Sequence, residues 1–116
     1  MNTQIDYQSR EPIYEQIVLE IEKLVALDIL KPNEQIPAIR EMAYNLGINP
    51  NTVKKAYDTL EQKGVIISKS TKGTFITDNV DKVKKIMVDK IIDDIKKNIE
   101  QLENIGVNKE DIIKKL

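Results

Sequence analysis

The chain has 116 residues and a formal net charge of −1 at pH 7, and it contains no cysteine and no histidine. These two absences exclude disulfide frameworks, thiolate metal sites and catalysis by an imidazole base, including the Ser-His-Asp triad. The N-terminus has no apolar core typical of a signal peptide, and no apolar run approaches the roughly 18 residues of a membrane span. We therefore expect a cytoplasmic protein with one main domain and a short appendage. We expect no bound cofactor, no metal and no membrane association.

The first predicted element is a helix that begins at Pro12, because the missing N–H of proline costs nothing in a first helical turn. Apolar residues then recur at helical spacing: Ile13, Ile17, Ile21, Leu24 and Val25. Residues 1–11 show no periodicity and are predicted to be extended. Turn residues at 31–33 follow the end of the helix, which is expected within residues 26–29. Residues 34–36 are predicted to be extended.

Two short helices are predicted next, separated by a sharp turn. Pro37 opens the first helix, and Gly47 suits the left-handed conformation that commonly ends a helix. Asn49 is expected to cap the second helix, with Pro50 at its first position. The inner face of this second helix consists of four residues: Val53, Ala56, Tyr57 and Leu60. Lys63 and Gly64 are expected to end it.

A small hairpin is predicted after Gly64. Residues 65–67 are β-branched and read as a strand, residues 70–73 form a polar turn, and residues 74–77 supply the return strand. Two helices joined by a turn and followed by a hairpin are typical of a winged helix-turn-helix, which is an α+β fold that binds DNA. We assign residues 1–78 to this domain and residues 79–116 to a helical segment.

The charge distribution agrees with a DNA-binding surface in this region. Residues 36–76 contain six basic and three acidic side chains, a net charge of +3 in a chain whose total is −1. DNA binding requires a locally basic face rather than a basic protein. On charge alone, a chance distribution of solvated side chains explains the imbalance equally well.

The second helix of the pair carries the candidate DNA contacts at its N-terminal end. Asn51, Lys54, Lys55 and Asp58 lie on the face opposite the apolar residues. Asparagine pairs with adenine, lysine donates to guanine, and backbone N–H groups at a helix start can bind a phosphate. The alternative is that Asn49 and Thr52 only cap the helix while the lysines are merely solvated. The hairpin that follows favours DNA binding.

Five stretches resemble a known family in their order and spacing: PIYEQI at 12–17, LKPNEQIPAIREMA at 30–43, LGINPNTVKKAY at 46–57, LEQKG at 60–64 and KGTFI at 72–76. Through them the chain resembles the winged-helix domain of the GntR family of bacterial transcriptional regulators, and within it the small YtrA-like subfamily. The resemblance implies DNA contacts at eight residues: Arg40, Asn49, Asn51, Thr52, Lys54, Lys55, Lys72 and Gly73. The last two correspond to the tip of the wing, which enters the minor groove in this family.

Two departures from the family pattern affect these expectations. Thr71 stands where the family often has glycine, so a different turn is expected in the wing. Lys54 and Lys55 stand where arginine is common, and lysine lacks the planar fork of donors that suits base readout. Arg40 has an alternative as a solvated helix residue, because Glu41 follows it.

The C-terminal segment is predicted to form a helix over residues 81–104 and a shorter helix capped by Asn108. Five residues of the long helix repeat with alternating spacings of four and three: Val88, Ile92, Ile95, Ile99 and Leu102. Such a seam favours self-association, with packing against the same chain as the alternative. The short helix is expected to bury Ile112, Ile113 and Leu116.

The resemblance also implies a function for the whole chain. It indicates a homodimer that binds double-stranded DNA at a pseudo-palindromic operator, with repression as the expected effect and no enzymatic activity. The segment after the wing is too short for the metabolite-binding domain of larger family members, and no feature of the sequence identifies a small-molecule effector. The alternative function is a protein-interaction module that has kept the winged fold without binding DNA.

Overall fold

The computed structural model describes residues 4–116, so the part of the predicted extended segment at residues 1–3 lies outside the described residues. The helices are α1 (Ile13–Ala26), α2 (Ile39–Leu46), α3 (Pro50–Gln62), α4 (Val80–Asn104) and α5 (Lys109–Lys115). The strands are β1 (Gln35–Ile36), β2 (Ile66–Ser68) and β3 (Thr74–Ile76), and a 3-10 turn at Ser70–Lys72 links the last two. This α+β architecture confirms the predicted fold class.

Helix α3 is central to the first of two compact units, Met1–Lys84, because it packs against α1, α2 and β2. Val53, Ala56 and Leu60 of α3 are fully buried, as the apolar spacing predicted. At the C-terminal end of α3, Lys63 Nζ lies 3.5 Å from the carboxylate of Glu22, a side chain of α1 that is only 6% exposed. The ion pair joins the end of α3 to α1 at the edge of the core.

The wing is part of a three-stranded antiparallel sheet with the order β1-β3-β2. Gln35 of β1 pairs with Phe75, and Ile67 of β2 pairs with the same residue from the other side. The sequence indicated an extended segment before Pro37 but not its place in this sheet. The consequence is that the segment leading into α2 and the wing share one hydrogen-bonded ladder.

The N-terminal arm differs from its predicted extended form. Residues 7–11 form turns and bends, and the side-chain amide of Gln16 holds the arm by accepting from Asp6 N–H at 2.9 Å and donating to the carbonyl of Asp6 at 3.0 Å. The hydroxyl of Tyr7 donates to the carbonyl of Leu46 at 2.5 Å. The arm is therefore attached to α1 and to the end of α2.

The second compact unit comprises Lys85–Leu116, and α4 begins in the first unit, where Val83 is buried in the core. In the second unit Ile112 is buried, whereas Ile113 is 68% exposed and Leu116 is 91% exposed. The prediction that these two residues are buried was wrong for the single chain. Neighbouring residues of a helix point about 100° apart, so a seven-residue helix that buries Ile112 turns Ile113 outward.

Among residues 4–116, none of the helices is both long and apolar enough to cross a membrane.

Candidate nucleic-acid interface

The turn between α2 and α3 is closed by backbone hydrogen bonds around a left-handed glycine. Gly47 has φ +66°, and its N–H donates to the carbonyl of Tyr44 at 3.2 Å. The N–H of Ile48 donates to the carbonyl of Ala43 at 3.0 Å, which completes a Schellman motif. This confirms the predicted role of Gly47, and it fixes the direction in which α3 leaves α2.

The start of α3 satisfies its own backbone donors. Asn49 is the N-cap, and its Oδ1 accepts from the N–H of Asn51 at 2.8 Å. The N–H of Thr52 donates to the carbonyl of Asn49 at 3.0 Å, and Pro50 has no N–H. The N–H groups of Asn51 and Thr52 therefore already have hydrogen-bond partners within the chain.

The outer face of α3 is a polar stripe formed by Asn51, Lys54, Lys55 and Asp58, all of them exposed. Thr52 is half-buried at its border. Lys54 Nζ lies 2.8 Å from Asp58 Oδ2 in a pair four residues apart, and both side chains are more than half exposed. The stripe therefore presents an amide, a lysine beside a carboxylate, and a second lysine on one surface.

Lys55 contacts an aromatic ring that the sequence did not connect with it. Its Nζ lies 4.0 Å from the centroid of the Tyr14 ring on α1, which is a cation–π geometry. The hydroxyl of Tyr14 donates to Glu15 Oε1 at 3.1 Å, and this hydrogen bond is the main cause that raises the pKa of Tyr14. Tyr14 therefore lies beside a lysine of the polar stripe of α3.

Arg40 lies on the exposed side of α2. It forms no ion pair with any residue in the described range 4–116. The chain just before α2 is fixed to α3, because the hydroxyl of Tyr57 donates to the carbonyl of Pro37 at 2.6 Å. Tyr57 is 4% exposed, and burial, with a smaller contribution from the charge of Glu41, raises its pKa well above the usual value. Arg40 is therefore exposed on a helix that is held in place.

The tip of the wing is a tight loop from Lys69 to Gly73. The N–H of Lys69 donates to the carbonyl of Gly73, and the N–H of Lys72 donates to the carbonyl of Lys69, both at 2.8 Å. Positive φ angles fall on Ser70 (+47°) and Gly73 (+121°) but not on Thr71. Thr71 therefore needs no left-handed backbone, because the residues with positive φ in this turn are Ser70 and Gly73.

Gln35 of β1 supports the wing from the other side of the sheet. Its side-chain Nε2 donates to the carbonyl of Lys72 at 3.2 Å. A Cβ atom added to Gly73 would collide with the same Nε2 atom. Lys69 Nζ lies 4.8 Å from the centroid of the Phe75 ring. Gln35 was missed by sequence reasoning, because glutamine in an extended segment carries no local signal for a contact so far along the chain.

The predicted DNA contacts therefore occur on three elements of one unit. Asn49, Asn51, Thr52, Lys54 and Lys55 belong to the start and outer face of α3, Arg40 to α2, and Lys72 and Gly73 to the wing loop. Helices α2 and α3 pack directly against each other. Within residues 4–116 no group of acidic side chains is arranged to hold a metal ion.

The predicted dimerisation residues lie on α4 and are largely uncovered. Val88, Ile92, Ile95 and Leu102 are 38–48% exposed, and Ile99 is half-buried. Ile91, which the sequence pattern did not include, is 55% exposed and lies on the flank of the seam. The apolar stripe on α4 is therefore wider than its five seam residues.

Comparison with known proteins gives a consistent result. Residues 13–76 match the family model described as "Bacterial regulatory proteins, gntR family". The chain is 40% identical over 99 residues to the HTH-type transcriptional repressor YtrA of Bacillus subtilis (strain 168), which covers 85% of this chain and 74% of that protein.

Two solved structures extend the comparison. The crystal structure of a transcriptional regulator from Oenococcus oeni has a TM-score of 0.82 at 40% identity, and the match covers 97% of this chain and 94% of that chain. The crystal structure of AraR(DBD) in complex with operator ORE1 has a TM-score of 0.55 at 25% identity, and the match covers 66% of this chain and 94% of that chain.

Proposed function

Because the chain belongs to the GntR family of bacterial regulatory proteins, we propose that it is a repressor that binds a pseudo-palindromic operator as a homodimer. The family consists of DNA-binding transcriptional regulators, and its members are not enzymes. Repression is inferred from the YtrA relative, which is named a repressor. Operator recognition is inferred from AraR(DBD), whose structure was solved on an operator.

The main support for DNA binding is the exposed polar stripe of α3, a helix whose opposite face is fully buried. Asn51 presents a side-chain amide that suits adenine, and Lys54 and Lys55 present donors that suit guanine or phosphate. Arg40 on α2 adds an exposed, positively charged side chain. Because the core fixes α3 and the Gly47 turn fixes α2, these groups meet DNA in one arrangement, which is what sequence-specific readout requires.

The wing adds a second point of contact. Lys72 and Gly73 lie in a loop closed by two backbone hydrogen bonds and supported by Gln35. Lys72 forms no ion pair within residues 4–116, so its ammonium is available to phosphates. Gly73 beside it leaves the space that the Gln35 side chain occupies, which keeps the loop in this shape. We assign this loop to the minor groove flanking the site of α3.

Homodimer formation follows from the apolar stripe of α4. Val88, Ile92 and Ile95 are each more than 40% exposed in the single chain, and a contiguous apolar stripe on a soluble helix requires a partner. Alternating spacings of four and three residues fit a helix of the same kind packed alongside. Two copies related by a two-fold axis would present two recognition helices, and a two-fold-symmetric operator mirrors that symmetry.

The decisive test is selection of binding sites from a random duplex pool, followed by fluorescence anisotropy with the selected and a scrambled duplex. We expect a two-fold-symmetric sequence with half-sites about one helical turn apart, bound at least ~1000-fold more tightly than the scrambled duplex. The affinity should fall steeply with salt, because phosphate contacts release counterions. A folded protein that enriches no sequence would contradict operator binding and would favour the protein-interaction alternative.

A further inference from the structure

Asp58 is an acidic residue in the middle of a surface proposed to face DNA. It shares the exposed stripe of α3 with Asn51, Lys54 and Lys55, and its Oδ2 lies 2.8 Å from Lys54 Nζ. A carboxylate in this position is repelled by phosphates, and it loses solvation when the groove closes over it. A recognition helix selected only for affinity would not carry it. Asp58 is therefore expected to change the ratio of affinities for different DNA sites rather than to increase the affinity for DNA.

The ion pair combines one donor and one acceptor at adjacent positions. Lys54 and Asp58 are four residues apart, so they lie one turn apart on the same side of α3. In the major groove a lysine donates to the O6 and N7 atoms of guanine, whereas a carboxylate accepts from the N4 amino group of cytosine. Guanine and thymine present only acceptor atoms or a methyl group there, and adenine presents its N6 amino group directly beside the N7 acceptor, which repels a carboxylate. The carboxylate therefore lowers the affinity for wrong sites more than it raises the affinity for the right site.

We propose that Asp58 is a specificity-determining residue of the recognition helix, which orients Lys54 and favours a site that offers a cytosine amino group to its carboxylate. This role depends on the operator binding proposed above. In the free protein Asp58 holds Lys54 by the 2.8 Å pair. On non-operator DNA its charge weakens binding, and on the operator the cytosine compensates for it.

The test compares Asp58→Asn with a matched control. The substitution keeps the size of the side chain and removes its charge, and the exposed position lets the variant fold. Asp28→Asn removes one charge from a similar exposed pair, Asp28 with Lys31 at 2.9 Å, which lies after α1 and outside the stripe. Asparagine also tolerates the left-handed backbone of Asp28, whose φ is +60°. Each variant is put through pool selection and titrated with the wild-type operator and the scrambled duplex.

For Asp58→Asn we expect tighter binding to the scrambled duplex, by about two- to ten-fold. We expect the ratio of operator to scrambled affinity to fall by about five-fold or more. We also expect the selected sequence to lose its preference for cytosine at one position of each half-site. For Asp28→Asn we expect an unchanged ratio and an unchanged selected sequence.

An equal gain on both duplexes, or an unchanged selected sequence for Asp58→Asn, would overturn the role of Asp58 while leaving operator binding intact. Failure of the wild type to select any sequence would instead refute operator binding itself, and this role with it.

Discussion

Tyr57 on α3 donates a 2.6 Å hydrogen bond to the carbonyl oxygen of Pro37, two residues before α2 begins. Because Tyr57 is buried and Pro37 precedes the helix of Arg40, this bond connects the core to the helix that carries an exposed guanidinium. The two helices of the DNA-binding motif are therefore joined at one end by Gly47 and at the other end by Tyr57. Each junction fixes one end of α2.

Removal of this hydroxyl should measurably destabilise the first unit. Tyr57→Phe leaves the ring in the core but leaves the carbonyl of Pro37 without its partner, and we expect a loss of about 1–2 kcal/mol in the free energy of unfolding. Urea denaturation followed by circular dichroism measures this loss. Tyr44→Phe is the control, because Tyr44 is 87% exposed and its hydroxyl should contribute nothing. Equal effects of the two substitutions would contradict a stabilising role for the Tyr57–Pro37 bond.

The same tyrosine should make stability depend on alkaline pH. Burial raises the pKa of Tyr57 above its usual value of 10.0, so the folded chain keeps the phenol proton under conditions in which the unfolded chain loses it. A raised pKa contributes stability that is complete below pH 10 and declines as the pH rises above it. The stability difference between wild type and Tyr57→Phe should therefore shrink above pH 10, by up to about 1.4 kcal/mol per pH unit. Denaturation of both proteins between pH 8 and pH 11 tests this, and a constant difference would contradict it.

The wing should be sensitive to substitution of Gly73. Alanine at φ +121° is strained, by about 1–3 kcal/mol, and its Cβ would displace the Gln35 side chain from the carbonyl of Lys72. Gly47→Ala is the comparison for a left-handed position without a clash, because a Cβ at Gly47 meets nothing within 4 Å. We expect urea denaturation to show a larger loss for Gly73→Ala than for Gly47→Ala. The loss should be smaller when Gly73→Ala is made in a Gln35→Ala background, since no clash is then possible.

Local signals account for the parts of the fold that the sequence predicted. Gly47, Asn49 and Pro50 act within a few residues of their own positions, so their effects on helix ends can be read from neighbours. The apolar spacing of α3 likewise predicted which residues are buried. The Lys54–Asp58 pair has helical spacing, and both residues were assigned to the same exposed face.

Contacts between distant segments were not predictable in the same way. Lys55 and Tyr14 meet only because α3 packs on α1, and Gln35 reaches Lys72 only because β1 joins the sheet. The residue pattern within one segment does not indicate which distant segment it will contact. The exposure of Ile113 was missed for a related reason, since apolar character does not say which side of a short helix is covered within one chain. Whether a second copy covers it depends on the proposed dimer.

Substitution of Arg40 should show what kind of contact it makes. Arg40→Ala removes an exposed guanidinium that forms no ion pair in the described chain, so folding should be unaffected. If the guanidinium reads a base, operator affinity should fall by about 1–3 kcal/mol and specificity should relax at one position. If it contacts a phosphate, affinity should fall by a similar factor on all sequences, and the salt dependence should become shallower. Anisotropy titrations with single-base operator variants at several salt concentrations separate the two cases, and an unchanged affinity would remove Arg40 from the interface.

A charge in the apolar stripe of α4 should separate dimerisation from folding. Ile95→Asp places a carboxylate at the centre of the proposed seam, where its desolvation would cost several kcal/mol in each chain. We expect monomers in sedimentation equilibrium and unchanged thermal unfolding of the winged-helix unit, whose core does not include Ile95. Operator affinity should fall sharply, because a monomer bound at one half-site does not hold a second recognition helix close to the other half-site. Lys97→Asp, which introduces an exposed charge outside the seam, should remain dimeric. A wild type that sediments as a monomer at micromolar concentration would contradict the dimer, and the stripe of Val88, Ile92 and Ile95 would then require another partner.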